Sequence, residues 1–137
     1  MQTRRNVREL VIQVLYQRSF FDHEINQKEA FLLNKKKLSK KYEFFFKQIL
    51  SEFLKNKEEL TKLIEQHAKK WKIKRIDKLL LCILYSALIE LIYITDTDPQ
   101  VIINEALEIC RKWVGEKAVK FCNGILHQAA TQKTVII

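Results

Sequence analysis

Three arginines near the start of the chain carry the chemistry that is easiest to assign, the binding of phosphate. Arg4, Arg5 and Arg8 lie close together, and each guanidinium is a permanently charged planar fork that fits a phosphate group. Cations at the N-terminus of a helix oppose its dipole. Three of them at the start of a predicted helix therefore indicate a partner outside that helix.

A second group that could bind nucleic acid lies near the other end of the chain. Lys117 and Lys120 precede Phe121 at the predicted start of the last helix. A helix N-terminus and lysines attract phosphate, and an exposed ring can stack on an unpaired base. Phe121 also falls on an apolar helical face, however, and its spacing alone favours packing in the core.

The overall charge fits binding to a polyanion. Lys and Arg number 25 against 16 Asp and Glu, which gives a net charge of +9. A surface this basic attracts nucleic acid first, and an anionic membrane surface or an acidic protein second. General basicity without a specific partner is the remaining alternative.

Motifs for catalysis or metal binding are missing from the sequence. The histidines are far apart and share no motif: His23, His67 and His127. Glu105 and Glu108 are spaced like ligands of a di-iron bundle, but the sequence has no Glu-x-x-His partner for them. A solvated face or a structural cap explains them better, so we expect neither an enzyme nor a metal site.

Few turn-forming residues are present, which predicts helices as the elements that position these groups. Two glycines and one proline cannot supply the turns of a sheet protein or the loops of a nucleotide-binding fold. Hydrophobic spacing predicts helices over about 3–21, 39–55, 57–70, 79–94, 98–113 and 116–130. With one short helix in the loop 22–38, this makes an all-α bundle of about seven helices.

Local signals refine this prediction. Residues 79–94 are apolar nearly throughout, with Glu90 as their only charge, and they are too short and too charged for a membrane span. They predict a central buried helix in which Glu90 contacts a basic side chain or a helix N-terminus. Asn56 suggests a break, Asp98 followed by Pro99 a helix start, and Gly115 a helix end.

Two further features of the sequence are a dense basic run and three cysteines. Six of the ten residues 69–78 are basic, which we interpret as a solvated helix connection in preference to a primary RNA site. The three cysteines lie in apolar stretches without a CxxC pair: Cys82, Cys110 and Cys122. They predict reduced core thiols and, with a charged N-terminus unlike a signal peptide, a cytoplasmic protein.

Three stretches of the sequence resemble the NusB family of bacterial transcription antitermination factors. They are RRNVRELVIQVLYQ (4–17), RIDKLLLCILYSALIEL (75–91) and VIINEALEICRKWVGEKAVKFCNGIL (101–126). INEA at 103–106 followed by KFCNGIL at 120–126 is the most specific part. Residues 22–68 match the family only in helical character.

The resemblance implies a fold, a ligand and a set of partners. It implies one NusB-like RNA-binding domain over residues 1–137, all-helical, with subdomains of about 1–70 and 71–130. The domain would bind boxA-type single-stranded RNA of ribosomal RNA leaders together with NusE, a ribosomal small-subunit protein. It would act in the RNA polymerase antitermination complex, without catalysis or a cofactor. The resemblance does not decide whether the free protein forms a homodimer.

The resemblance also assigns roles to residues. The RNA-binding residues that it implies are those of the N-terminal arginine cluster and the (K/R)FVNG motif with its flanking lysine: Arg4, Arg5, Arg8, Lys117, Lys120, Phe121 and Asn123. This makes Phe121 a neighbour of RNA. Tyr16 and Asp77 match positions near the NusE surface of the family.

The sequence departs from the family pattern at several places. Lys117 stands where many members carry an acidic residue, which should raise the affinity for phosphate. Cys82 replaces a common arginine, and Cys122 a valine. The stretch from Asp77 to Pro99 is about one helical turn longer than usual, which puts the register of the central helix in doubt.

Two other functions are open at this point. A NusB-like domain also forms the N-terminal part of a ribosomal RNA cytosine methyltransferase that uses S-adenosylmethionine, although this chain has no glycine-rich cofactor motif. A helical interaction protein with incidental basicity is the third possibility. Fusion to a methyltransferase domain would favour the methyltransferase, and a lack of RNA binding would favour the interaction protein.

Overall fold

The computed structural model describes residues 3–20, 38–68 and 76–136, and it confirms an all-α fold. Only the backbone is described for residues 19–20 and 132–136. The described helices are α1 (Arg4–Phe20), α2 (Lys40–His67), α3 (Lys78–Tyr93), α4 (Pro99–Trp113) and α5 (Glu116–Ile136). These are five helices in the described ranges, whereas the sequence predicts about seven in the chain.

Part of this difference comes from a predicted break that does not exist. The helices predicted over 39–55 and 57–70 are the single helix α2. The Asn56 amide does not cap or interrupt it, because Nδ2 donates to the Glu52 carbonyl at 3.0 Å and to Glu52 Oε2 at 2.9 Å. The short helix predicted within 22–38 and the basic run 69–78 lie largely outside the described residues.

Helix α3 is the centre of the bundle, as its apolar sequence predicts. Every residue from Cys82 to Leu91 is buried, and α3 packs against each of the other four helices. A helix in such a position has no solvated side and needs apolar residues all round. Among the described residues, no helix combines the length and the apolar character needed to cross a membrane.

The predicted starts of α1 and α4 are confirmed by their caps. Thr3 precedes α1 as its N-cap: its hydroxyl accepts from the Asn6 backbone at 3.2 Å, while the Asn6 side chain accepts from the Thr3 backbone at 3.0 Å. Asp98 accepts from the Gln100 backbone at 2.7 Å, ahead of Pro99 at the start of α4.

Helix α5 is longer than predicted, and the cysteines are as predicted. The helix continues to Ile136, past the expected end at Ala130. Cys82, Cys110 and Cys122 are buried and free. Burial raises the pKa of Cys82 to about 12, so its thiol is protonated at neutral pH.

The two glycines of the chain give a matched test of this architecture. Gly115 joins α4 to α5 with φ +136°, where a side chain is strained, although a Cβ would meet no atom within 4 Å. Gly124 lies within α5 and is equally open. We expect Gly115→Ala to destabilise the protein by about 1–3 kcal/mol and Gly124→Ala to stabilise it by about 0.5–1 kcal/mol. Urea unfolding measures both, and equal effects would contradict the assigned backbone conformations.

Candidate nucleic-acid interface

Arg8 is buried and binds a carboxylate inside the protein. Its Nε and Nη2 donate to the two carboxylate oxygens of Glu90 at 2.7 and 2.9 Å, and 7% of the Arg8 side chain and 2% of the Glu90 side chain are exposed. This confirms the expected basic partner of Glu90. The pair joins α1 to α3, so in this structure Arg8 serves the core and does not present its guanidinium to a phosphate.

Arg4 is held at the amino end of α4 by several groups. Its Nη1 donates to Thr97 Oγ1 at 2.7 Å, and its Nη2 donates to Asp96 Oδ2 at 3.0 Å. The guanidinium carbon also lies 4.6 Å from the centre of the Phe45 ring. The hydrogen bond from Arg4 lowers the pKa of Asp96, which shows that the two groups stabilise each other's charged forms.

Arg5 is the most exposed of the three arginines. Its Nε and Nη2 donate to the carboxylate of Glu105 on α4 at 2.6 and 3.0 Å, and 48% of the side chain is exposed. Within the described residues Nη1 of Arg5 makes no hydrogen bond. The arginine cluster therefore presents one accessible guanidinium edge to solvent, that of Arg5, beside the partly covered Arg4.

Further ion pairs fix α1 beside α4. Lys112 near the end of α4 donates to Glu9 of α1 at 3.0 Å. Arg111 bridges Glu108, at 2.8 Å, and Glu116 at the start of α5, at 2.9 Å. Because Arg4 contacts residues before α4 and Glu9 contacts its last turn, α1 and α4 run in the same direction.

Lys117 and Lys120 form the second cluster at the opposite end of α4. Both are exposed, and neither makes a hydrogen bond or an ion pair with any described residue. They follow Gly115, which ends α4, whereas Arg4 contacts the turn that precedes it. A helix of 15 residues is about 22 Å long, so RNA that touches both clusters has to run along α4.

Phe121 and Asn123 lie on opposite sides of the buried stripe of α5. Both are half-buried, and Phe121 packs against the core cluster. At 100° per residue they lie about 160° apart around the helix, with buried Cys122 between them. Lys117, four residues before Phe121, is on the same side as the ring. Lys117 and Phe121 thus share a surface that does not include Asn123.

The two residues expected near NusE have structural roles as well. Tyr16 is half-buried and packs against the core. Asp77 caps α3, where its Oδ1 accepts from the Leu79 and Leu80 backbones at 2.9 and 3.1 Å. Helix capping is sufficient to explain an acidic residue at position 77. A contact between Asp77 and NusE is a separate prediction.

The sequence does not reveal which carboxylate pairs with Arg5. The sequence predicts Glu105 on a solvated face or at a cap, but its carboxylate binds Arg5. No group of three or more His, Cys, Asp or Glu side chains in the described part of the chain is placed to hold a metal ion. No described buried side-chain nitrogen or oxygen lacks a hydrogen bond.

Comparison with known proteins gives one consistent family. The sequence model of the NusB family matches residues 5–131. The transcription antitermination protein NusB of Finegoldia magna is 30% identical over 131 residues, 96% of this chain and 96% of that protein. Relatives of this kind are named as antitermination proteins and not as enzymes.

Solved structures share the fold. The T. maritima NusB structure matches with a TM-score of 0.89 and 28% identity, over 96% of this chain and 92% of that one. A chain in the crystal structure of the antitermination factors NusB and NusE in complex with dsRNA matches with a TM-score of 0.85, over 94% of this chain and 96% of that one. At 22% identity, the second match speaks for the fold alone.

Proposed function

The chain belongs to the NusB family, and we propose on this premise that it is a transcription antitermination factor that binds boxA-type single-stranded RNA together with NusE. The match of the family over residues 5–131 is the observation that carries the proposal. The fold supports it, because a protein with the same fold occurs in the complex of NusB and NusE with dsRNA. In the cell the pair would act within the RNA polymerase antitermination complex.

The proposed RNA surface follows α4 from Arg4 and Arg5 to Lys117, Lys120 and Phe121. The arginine edge and the two lysines neutralise phosphates, and Phe121 contacts a base. Arg8 supports this surface from inside by fixing α1 on α3. Asn123 contributes from the other side of α5, and Tyr16 and Asp77 lie towards NusE.

Several further properties belong to the same proposal. The protein has no catalytic activity and needs no cofactor, and it works in the cytoplasm. Its chain forms one RNA-binding domain with two subdomains, of about 1–70 and 71–130. Buried free cysteines support the cytoplasmic location, and the names of the relatives support a function without catalysis.

A binding titration tests the proposed function. Purified protein is titrated into a fluorescently labelled boxA-type RNA and into a scrambled RNA of the same length, with and without NusE. Tighter binding of boxA, strengthened by NusE, is the expected result. Equal binding of both RNAs, with no effect of NusE, would leave only non-specific polyanion binding and would overturn the proposal.

The two exposed lysines predict a loss of affinity that does not depend on the RNA sequence. Phosphate contacts position the nucleic acid and do not read bases. We expect Lys120→Ala to weaken binding of boxA and scrambled RNA alike and to lower the salt dependence by nearly one unit of slope. Lys117→Glu should weaken binding more than Lys117→Ala, because it adds repulsion to the lost attraction. A change confined to boxA RNA would contradict this role.

A further inference from the structure

The side chain of Arg5 binds one carboxylate and lies near two others, although it belongs to the proposed RNA surface. Glu105 binds it directly at 2.6 Å, and this hydrogen bond is the largest cause that raises the pKa of Arg5. Glu9 and Glu108 lie near enough to raise it further. Those two acids have cations of their own, Lys112 and Arg111. Glu105 is therefore the carboxylate that is paired with Arg5.

Carboxylate and phosphate compete for the same donors of a guanidinium. The carboxylate is planar and the phosphate is tetrahedral, but each is an oxyanion that accepts two parallel hydrogen bonds from the arginine fork. In the free protein Nε and Nη2 of Arg5 already bind Glu105. A phosphate must either displace the carboxylate or approach the remaining Nη1 edge with a negative charge close by.

We propose that Glu105 is an intramolecular competitor of RNA phosphate for Arg5, and that it lowers the affinity and the salt dependence of RNA binding. The inference rests on the proposed function and adds a residue that tunes it. Arg4 differs, because Thr97 and the Phe45 ring hold its guanidinium in addition to Asp96. Arg5 has no such second support among the described residues, so its orientation responds to Glu105.

The opposite role makes the opposite prediction. If Glu105 acts only to aim Arg5 at the RNA, removing its charge weakens binding or leaves it unchanged. Glu105→Gln separates the two roles, since the amide oxygen still accepts one hydrogen bond while the charge is lost. Glu108→Gln is the matched control: it removes the same charge from the same helix, but from a residue bonded to Arg111.

The experiment measures the dissociation constant for boxA-type RNA by fluorescence anisotropy at several salt concentrations. We expect Glu105→Gln to bind roughly two- to fivefold more tightly than wild type, the range that corresponds to an exposed ion pair. Its salt dependence should be steeper by about one unit of slope. Glu108→Gln should change affinity by a smaller factor, without the steeper slope.

A second background decides whether Arg5 is the cause. In Arg5→Gln protein, adding Glu105→Gln should give no more than the effect of Glu108→Gln. The inference is overturned if the gain persists without Arg5, or if Glu105→Gln equals the control or binds more weakly than wild type. Wild-type protein that binds neither boxA nor scrambled RNA overturns the proposed function, and the inference with it. Thermal unfolding of each variant confirms that the folded protein is compared.

Discussion

Replacing Glu90 by glutamine is expected to destabilise the protein by about 3–5 kcal/mol, the cost of removing one partner from a buried ion pair. Both side chains of the pair are almost completely buried. The substitution leaves the Arg8 charge in the core, where it can regain neither water nor a counter-charge. Urea unfolding followed by circular dichroism gives the free energy of unfolding.

Two further variants show that the loss comes from the unpaired charge. Glu108→Gln removes an exposed carboxylate from an ion pair and should cost less than about 1 kcal/mol. The double variant Arg8→Met with Glu90→Leu replaces the pair by apolar side chains and should recover most of the loss, because buried pairs are often no better than hydrophobic packing. A double variant as unstable as Glu90→Gln would instead indicate a packing defect.

The same pair predicts a dependence on pH. Burial raises the pKa of Glu90, and the hydrogen bond from Arg8 opposes this rise. A carboxyl group with a raised pKa contributes stability that is complete below its unfolded pKa and is lost as pH rises through its folded pKa. In Arg8→Met the pKa of Glu90 rises further, so the destabilisation relative to wild type should be smaller near pH 5 than near pH 8. Equal destabilisation at both values would contradict this account.

The helices could be predicted from the sequence because their signals are local. The stripe of α1, the Asp98 cap and the glycine that ends α4 depend on neighbouring residues alone, and each is confirmed. Asn56 misled the prediction because the residue suits both a cap and a helix. Which of these it adopts depends on the packing of α2, whose buried residues continue on both sides of it.

The partners of the arginines could not be predicted in the same way. Arg8 stands three residues before Val11 and four before Ile12, on the core side of α1, and Glu90 is the one charge in the apolar stretch 79–94. These two signals together could have paired them. Arg5 and Glu105 are separated by 100 residues, and they meet only because α1 and α4 both pack on the central helix α3. A basic cluster read from sequence thus contains one core residue and two arginines already bound to acids.

Phe121→Ala is expected to weaken binding of boxA-type RNA by about 1–3 kcal/mol, by analogy with base–aromatic stacking, and to reduce the preference over scrambled RNA. The ring is half-buried against the core, so the substitution should also cost roughly 2 kcal/mol of stability, less than a fully buried phenylalanine. Both quantities must be measured on the same protein, at a temperature where it is folded.

Phe121→Leu separates these two contributions of the ring. Leucine keeps most of the apolar volume and should cost less than about 1.5 kcal/mol of stability, but it offers no aromatic face to a base. A stacking role therefore predicts that Phe121→Leu binds boxA RNA nearly as weakly as Phe121→Ala while it unfolds nearly like wild type. Phe44, which is 70% exposed on α2, supplies the control, since Phe44→Ala removes a ring outside the proposed surface. If Phe121→Leu binds and discriminates like wild type, the ring belongs to the core alone, and the base contact must come from another side chain.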